Sequence, residues 1–101
     1  MAYSLELTPL FQSDFSDAVR YIRDALRNPI AAGRLVSAFD EAVESVLLFP
    51  ASSKPILAGT PQEAYYSVKV KNYLAFYVVN GNVLEFRRFL YARSDVLQKL
   101  E

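Results

Sequence analysis

The 101-residue chain has no cysteine, no histidine and no tryptophan, and these absences exclude several kinds of site. Without cysteine there can be no disulfide bond, no thiolate metal site and no cysteine nucleophile. Without histidine the chain lacks the usual general base near neutral pH and the commonest metal ligand. We therefore expect neither a metal ion nor any other cofactor.

The sequence also lacks the segments that direct a protein into or across a membrane. No apolar run approaches the roughly 20 residues needed to span a bilayer. The N-terminus has neither the basic region nor the apolar core of a signal peptide. We therefore expect a cytoplasmic protein without membrane contact, and the length and the apolar content of 52% predict one globular domain over residues 1–101.

The formal net charge is zero, but the charges are unevenly distributed along the chain. Residues 1–53 carry four basic and seven acidic side chains, whereas residues 54–93 carry six basic and two acidic ones. A basic second half is compatible with an anionic partner. Ordinary solvated charge is the alternative explanation, and charge alone does not separate the two.

The first half of the sequence predicts a strand followed by two antiparallel helices. Tyr3 to Leu7 is typical of a short strand, and Thr8-Pro9 and Asn28-Pro29 each read as a helix cap followed by proline at the first helical position. Apolar residues recur at helical spacing in both segments. The predicted buried faces are Phe11, Phe15, Ala18, Val19, Ile22, Ala25 and Leu26 in the first helix, and Leu35, Phe39, Ala42, Val43, Val46 and Leu47 in the second, which runs from Ile30 to Leu48.

The second half predicts a three-stranded antiparallel meander. Asn80-Gly81 between two β-branched and aromatic runs indicates a hairpin with a type I′ turn. The predicted strands are 65–70, 73–79 and 82–91, and residues 51–62 form an irregular connection with one extended piece at Ile56-Leu57. A helical turn is expected in residues 94–101. The predicted fold is therefore α+β, in the order β-α-α-β-β-β, with a helical hairpin on one face of a small antiparallel sheet and the first strand beside the last.

Alternation in the last strand assigns side chains to the two faces of the sheet. Leu84, Phe86, Arg88 and Leu90 should face the helices, and Val83, Glu85, Arg87, Phe89 and Tyr91 should face solvent. Arg88 fits poorly on an apolar face. Its guanidinium is expected to reach a carboxylate or the sheet rim, unless a bulge near Arg87-Arg88 exchanges the faces.

The solvent face is the candidate site. Lys69, Arg87, Tyr91 and Arg93 would lie on it or at its rim, where cations could hold a phosphate and a tyrosine could stack on a base. The alternative is a solvated sheet face without a ligand.

Two ordered sets of residues extend over nearly the whole chain. In the second half they are Tyr73, Tyr77, Val83, Arg88, Leu90, Tyr91, Ala92, Arg93 and Asp95 in that order. In the first half they are the strand ending at Thr8, Asp14, Tyr21 and Ile22, Asn28-Pro29 with Ala31-Ala32, and Phe49-Pro50. With these residues the chain resembles the RelE/ParE family of toxins from bacterial type II toxin–antitoxin systems. The family fold agrees with the fold predicted from periodicity.

The resemblance implies a toxin that a cognate antitoxin neutralises, with the helical hairpin and its grooves as docking surfaces. The first hypothesis is a ribosome-dependent mRNA endoribonuclease, with ribosome and mRNA as partners. Lys69, Arg87, Tyr91 and Arg93 would be catalytic, and Lys71, Tyr73 and Arg88 would contact RNA. In this chain Ser67 and Leu74 stand where that branch has a lysine and an arginine. A non-enzymatic inhibitor of DNA gyrase and a non-toxic member that only binds antitoxin therefore remain alternatives.

Overall fold

A computed structural model of the chain describes residues 3–49, 56–57 and 64–93. The elements in chain order are β1 (Ser4–Leu7), α1 (Pro9–Arg20), a π-helix (Tyr21–Ala25), α2 (Pro29–Leu48), β2 (Ile56–Leu57), β3 (Ala64–Val70), β4 (Tyr73–Asn80) and β5 (Val83–Tyr91). The extended piece predicted at Ile56-Leu57 is confirmed as β2. The helical turn predicted for residues 94–101 lies outside the described residues.

The strands form one sheet in the order β1-β5-β4-β3-β2. The predicted α+β fold, the helical hairpin and the place of β1 beside β5 are confirmed. The prediction of a wholly antiparallel sheet is wrong, because β1 runs parallel to β5, with Leu5 opposite Leu84 and Leu7 opposite Phe86. No hairpin turn joins β1 to its neighbour, so local turn signals could not fix its direction.

The turn between β4 and β5 lies one residue later than predicted. Asn80 pairs with Val83, which leaves Gly81 and Asn82 as the two turn residues. Of these two, only Gly81 has a positive φ, at 63°. Glycine at the first turn position with positive φ is typical of a type II′ turn, whereas the predicted type I′ turn needs positive φ at both positions.

The helix starts confirm the predicted caps. The Thr8 side chain accepts a hydrogen bond from the Phe11 amide at 3.1 Å, and the Asn28 side chain accepts one from the Ala31 amide at 3.0 Å. In both helices proline occupies the first position, where an amide hydrogen would have no partner within the helix.

The main core lies between the helices and the sheet and is centred on Phe11. This side chain is fully buried, and its ring centroid lies 5.3 Å from that of Phe39, 5.5 Å from Phe86 and 5.7 Å from Phe89. Phe15 completes the cluster, 5.0 Å from Phe89. Edge-to-face contacts among these rings stabilise the packing of α1 and α2 onto β5.

The predicted buried face of the first helix ends early because α1 passes into a π-helix. The Leu26 amide donates to the Tyr21 carbonyl, five residues back, at 3.1 Å, and the Asn28 amide donates to the Ile22 carbonyl at 3.0 Å. The wider turn changes the phase of the side chains. As a result Ile22 still packs on the core, but Ala25 and Leu26 are exposed, contrary to the prediction.

A bulge in β5 exchanges the faces of the sheet after Phe86. Tyr77 pairs with Phe86 and Phe76 pairs with Arg88, so Arg87 is the extra residue. Phe89 consequently packs on the helices, although alternation placed it on the solvent face. Tyr91 follows it to the helix side, and Leu90 lies on the opposite face. The bulge that the sequence offered as one explanation of Arg88 is therefore present.

The face opposite the helices is more apolar than predicted. Tyr65, Phe76, Val78 and Leu90 are buried there as a second cluster, with Leu74 packed against it. The expectation of a simple solvated face is wrong for this part of the sheet, because the even-numbered positions of β4 carry Leu74, Phe76 and Val78 and the start of β3 adds Tyr65. Neither described helix is both long and apolar enough to cross a membrane.

Candidate functional site

Two adjoining concavities lie at the end of the sheet where the β3–β4 turn meets the helices. They have volumes of about 500 and 330 Å³ and share Ile22, Leu26, Asn72 and Tyr73. We call this combined feature the sheet-end cleft. Its further lining residues are Tyr21, Tyr91 and Arg93 in the larger part, and Asn28, Ala31, Arg34, Leu35 and Lys71 in the smaller part.

Three structural elements position these side chains. The two-residue β3–β4 turn carries Lys71, whose φ is 56°, and Asn72, and the Asn72 carbonyl accepts a hydrogen bond from the Ala92 amide at 2.9 Å. This bond holds the end of β5 against the turn. The π-helix supplies Tyr21 on the opposite wall, and the start of α2 supplies Arg34.

Tyr73 packs against two other aromatic rings at the cleft. The Tyr73 ring stacks on Phe89 at 4.9 Å and meets the edge of Tyr91 at 5.4 Å. Burial raises the pKa of Tyr73 above its ordinary value, and nearby Tyr91 and Tyr21 raise it further. At neutral pH the Tyr73 hydroxyl is therefore protonated. It can donate a hydrogen bond, but it cannot act as a general base.

The charge of the cleft is locally positive. Its lining residues include Arg34, Lys71 and Arg93, and among the residues that the structure describes no carboxylate lines it. Because the chain as a whole is neutral, this is a local concentration of cations. Together with the exposed Tyr91, it makes the cleft suited to an anionic ligand.

Two residues of the predicted catalytic set lie elsewhere. Lys69 is exposed and alternates with Val68 and Val70, which pack on the helix-side core, so it belongs to the opposite face of the sheet. The Arg87 Nε donates to Glu85 Oε1 at 2.7 Å, and its guanidinium lies 6.0 Å from the centre of the Tyr65 ring, also on that face. The expectation that Tyr91 shares a face with Lys69 and Arg87 is wrong, because the bulge at Arg87 turns Tyr91 towards the helices.

Arg88 lies at the edge of the sheet and joins β5 to α1. Its Nε donates to Asp14 Oδ2 at 2.8 Å, and the same oxygen accepts the Phe89 amide at 3.0 Å. Thr8 contacts the same edge, with its amide 3.0 Å from the Phe86 carbonyl oxygen. Thr8 and Asp14 thus satisfy backbone hydrogen-bonding groups of β5 beyond the end of β1. Arg88 has the carboxylate partner that the sequence predicted.

Of the seven predicted site residues, the cleft brings together Lys71, Tyr73, Tyr91 and Arg93. The sequence did not indicate Leu26 or Arg34 as site residues, because both belong to the helical hairpin. Leu26 reaches the cleft only because of the π-helix. The one local signal for this part of the cleft was Asn28-Pro29, because it fixes where α2 begins. Among the described residues, no group of three or more acidic side chains is placed to hold a metal ion.

A second surface feature runs between the two helices. Two shallow concavities of about 290 and 300 Å³ share Phe15, Ser16 and Val36. We call this feature the helix groove. Phe11 and Phe39 line one end, and Arg20 and Arg23 line the other. Its apolar floor is open to solvent at Val36, which is 38% exposed.

Comparisons with known proteins agree with this fold. A sequence model of the ParE toxin of the type II toxin–antitoxin system parDE matches residues 5–96. No curated protein matches the chain by sequence. The chromosomal ParDE toxin–antitoxin structure from P. aeruginosa is similar with a TM-score of 0.71 and 16% identity, covering 91% of this chain and 98% of that one.

Two further structures are similar at low identity. The archaeal RelE–RelB complex from Pyrococcus horikoshii OT3 has a TM-score of 0.58 and 18% identity, covering 90% of this chain and 96% of that one. The YoeB dimer from Staphylococcus aureus has a TM-score of 0.62 and 15% identity, covering 92% of this chain and 100% of that one. At such identities the structures establish the shared fold.

Proposed function

Because the chain belongs to the family of ParE toxins of type II toxin–antitoxin systems, we propose that it inhibits bacterial growth by binding a protein target, DNA gyrase, without cleaving RNA. The observation that carries this proposal is the separation of the predicted catalytic residues on two faces of the sheet. Lys69 and Arg87 lie on one face, and Tyr91 lies on the other with the sheet-end cleft.

Cleavage of RNA needs more than a cationic surface. A group must remove the proton of the attacking 2′-hydroxyl, and cations must stabilise the phosphate in the transition state. The chain has no histidine, no carboxylate lines the described cleft, and Tyr73 is protonated at neutral pH. These features support a site that binds a partner rather than one that performs proton transfer.

An mRNA endoribonuclease is the second candidate, and one observation favours it. Lys71, Tyr91 and Arg93 share the sheet-end cleft, where two cations could hold a phosphate and the half-exposed tyrosine could stack on a base or act as a general acid. In this case the catalytic set would be Lys71, Tyr91 and Arg93, and Lys69 and Arg87 would not take part.

An antitoxin is the expected partner of the toxin. Among the similar structures are a RelE–RelB complex and a ParDE system, which supports a cognate antitoxin for this chain as well. We assign its docking to the helix groove. The apolar floor of the groove contains aromatic residues and the exposed Val36, and such a groove suits the apolar face of an amphipathic segment.

Expression of this chain alone in bacterial cells tests the proposal. Incorporation of labelled thymidine and labelled methionine is followed over the first minutes after induction. Binding of gyrase predicts that thymidine incorporation falls first while methionine incorporation continues. An early fall in methionine incorporation with new 5′ ends in cellular mRNA would instead establish the endoribonuclease. If neither falls, the chain is not a toxin on its own.

A further inference from the structure

We propose that the sheet-end cleft is the surface that docks the toxin's target, and that it takes an acidic segment carrying an aliphatic side chain. The carboxylates of the segment would meet Arg34 and Lys71, and its aliphatic side chain would lie against Ile22 and Leu26. This inference rests on the proposed action by protein binding, and it adds the location and the chemistry of the partner.

Large apolar side chains are exposed around this one cleft. Leu26 is 55% exposed, Tyr21 56% and Tyr91 50%. Scattered exposed apolar residues are ordinary, but here three of them line a single concavity of about 500 Å³. The π-helix causes the exposure of Leu26, and π-helical turns occur frequently at functional sites.

The charges of the cleft are complementary to those of an acidic segment. Arg34 and Lys71 border the smaller part of the cleft, and within residues 3–49, 56–57 and 64–93 no carboxylate lines either part. The nearest acidic residue along the π-helix is Asp24, whose carboxylate is engaged by Arg23 at 2.8 Å. A negatively charged partner segment would therefore be attracted to the cleft, and a positively charged segment would be repelled.

The side chains of the cleft favour a protein segment over a nucleic acid, although both could be anionic. Surfaces that bind single-stranded nucleic acid present successive aromatic rings for stacking. In this cleft one face of Tyr73 is covered by Phe89, and Tyr73 and Tyr91 lie nearly perpendicular to each other, with Tyr91 as the exposed ring of the pair. The aliphatic Ile22 and Leu26 beside it favour contact with aliphatic protein side chains.

Two pairs of matched variants test the proposal. Leu26→Asp alters the cleft, and Leu10→Asp alters a leucine of similar exposure, 52%, at the start of α1. Lys71→Glu alters the cleft, and Lys69→Glu alters an exposed lysine on the opposite face two residues away. Each cleft variant should need at least about tenfold more protein to arrest growth, whereas each control should act like the wild type. Lys71→Arg keeps the charge and should retain toxicity.

Thermal unfolding of all five purified variants separates a lost contact from a lost fold. The proposal requires that Leu26→Asp and Lys71→Glu unfold near the wild-type temperature while toxicity is reduced. It is overturned if the control variants lose as much toxicity as the cleft variants, or if folded Leu26→Asp remains fully toxic. It is also overturned if toxicity depends on Lys71 alone and is accompanied by new 5′ ends in cellular RNA, because this would identify a nucleic-acid ligand.

A supercoiling assay with purified DNA gyrase distinguishes this inference from the proposed target. If wild-type protein leaves supercoiling unchanged but the pattern of the matched variants holds in cells, gyrase is wrong and the cleft docks another protein. If the wild type and both cleft variants inhibit supercoiling equally, gyrase is the target and the cleft is not the surface that binds it.

Discussion

Replacing Asp14 by alanine should destabilise the protein more than replacing any other acidic residue of α1. Asp14 accepts three hydrogen bonds from β5: Arg88 Nε at 2.8 Å, Arg88 Nη2 at 3.3 Å and the Phe89 amide at 3.0 Å. Its side chain is 15% exposed and that of Arg88 is 24% exposed, so water screens the pair only in part. The carboxylate holds the helix to a strand edge that β1 no longer covers.

The expected loss follows from these contacts. Hydrogen bonds to charged groups contribute about 1.5–3 kcal/mol each, but bonds that share one acceptor are not additive, so we expect a total of about 3 kcal/mol. For a domain of this size that corresponds to a fall in Tm of roughly 12 °C or more. Asp14→Asn can keep one acceptor oxygen for the Phe89 amide and Arg88 Nε, but it loses the charge and the second oxygen that accepts from Arg88 Nη2. Its cost should be smaller than that of Asp14→Ala, about 1–2 kcal/mol.

Urea denaturation followed by circular dichroism measures these differences. Asp17→Ala, an exposed position on the same helix, is the matched control and should change the free energy of unfolding by no more than about 0.5 kcal/mol. A double-mutant cycle with Arg88→Ala should give a coupling energy of about 1–2 kcal/mol. If Asp14→Ala were as stable as the control, the edge contact would not hold α1 to the sheet and the reasoning would be refuted.

Three further changes follow from burial and conformation. Phe11→Ala should destabilise the protein by about 3–5 kcal/mol in the same denaturation assay, because it removes the ring at the centre of the core. Gly33→Ala should stabilise it by about 0.5–1 kcal/mol, because a Cβ there meets no atom within 4 Å and alanine favours the helix. Burial and the neighbouring Tyr66 raise the pKa of Tyr77 to about 12. The stability that is linked to its neutral form is therefore fully present below about pH 10 and declines by about 2–3 kcal/mol as the pH rises towards 12. Tyr77→Phe should reduce this alkaline loss, which unfolding curves between pH 8 and 12 would measure.

Features set by local sequence were predictable. The caps at Thr8 and Asn28 depend on two adjacent residues, and the apolar stripe of α2 depends on spacing within one helix. The short strand at Ile56-Leu57 could be read from two apolar residues in an irregular connection. Each of these needs only the side chains themselves and their immediate neighbours in the chain.

Features set by pairing between distant segments were predictable only in part. The poor fit of Arg88 on an apolar face suggested a bulge near Arg87-Arg88 as one explanation, but alternation within β5 alone could not decide whether this mismatch with β4 is present. The bulge moved Tyr91 to the helix side and so divided the predicted catalytic set. The π-helix after Arg20 is invisible in a pattern that continues smoothly through Leu26, and it exposes a residue that the sequence assigned to the core.

The candidate site was predicted in part for the same reason. Lys71, Tyr73, Tyr91 and Arg93 belong to strand ends or turns of one meander, so their proximity follows from the hairpin order. Arg34 comes from α2, and only the packing of the helical hairpin on the end of the sheet brings it to the cleft. Residues contributed by a second layer need the tertiary structure to be recognised.

The most direct test of gyrase binding is a comparison of two purified reactions to which the wild-type protein is added. One reaction follows supercoiling of plasmid DNA by gyrase, and the other follows translation of a reporter mRNA by ribosomes. Gyrase binding predicts that supercoiling is inhibited and that the mRNA stays intact and is translated. Cleavage of the mRNA with unchanged supercoiling would contradict it and would assign Lys71, Tyr91 and Arg93 to catalysis.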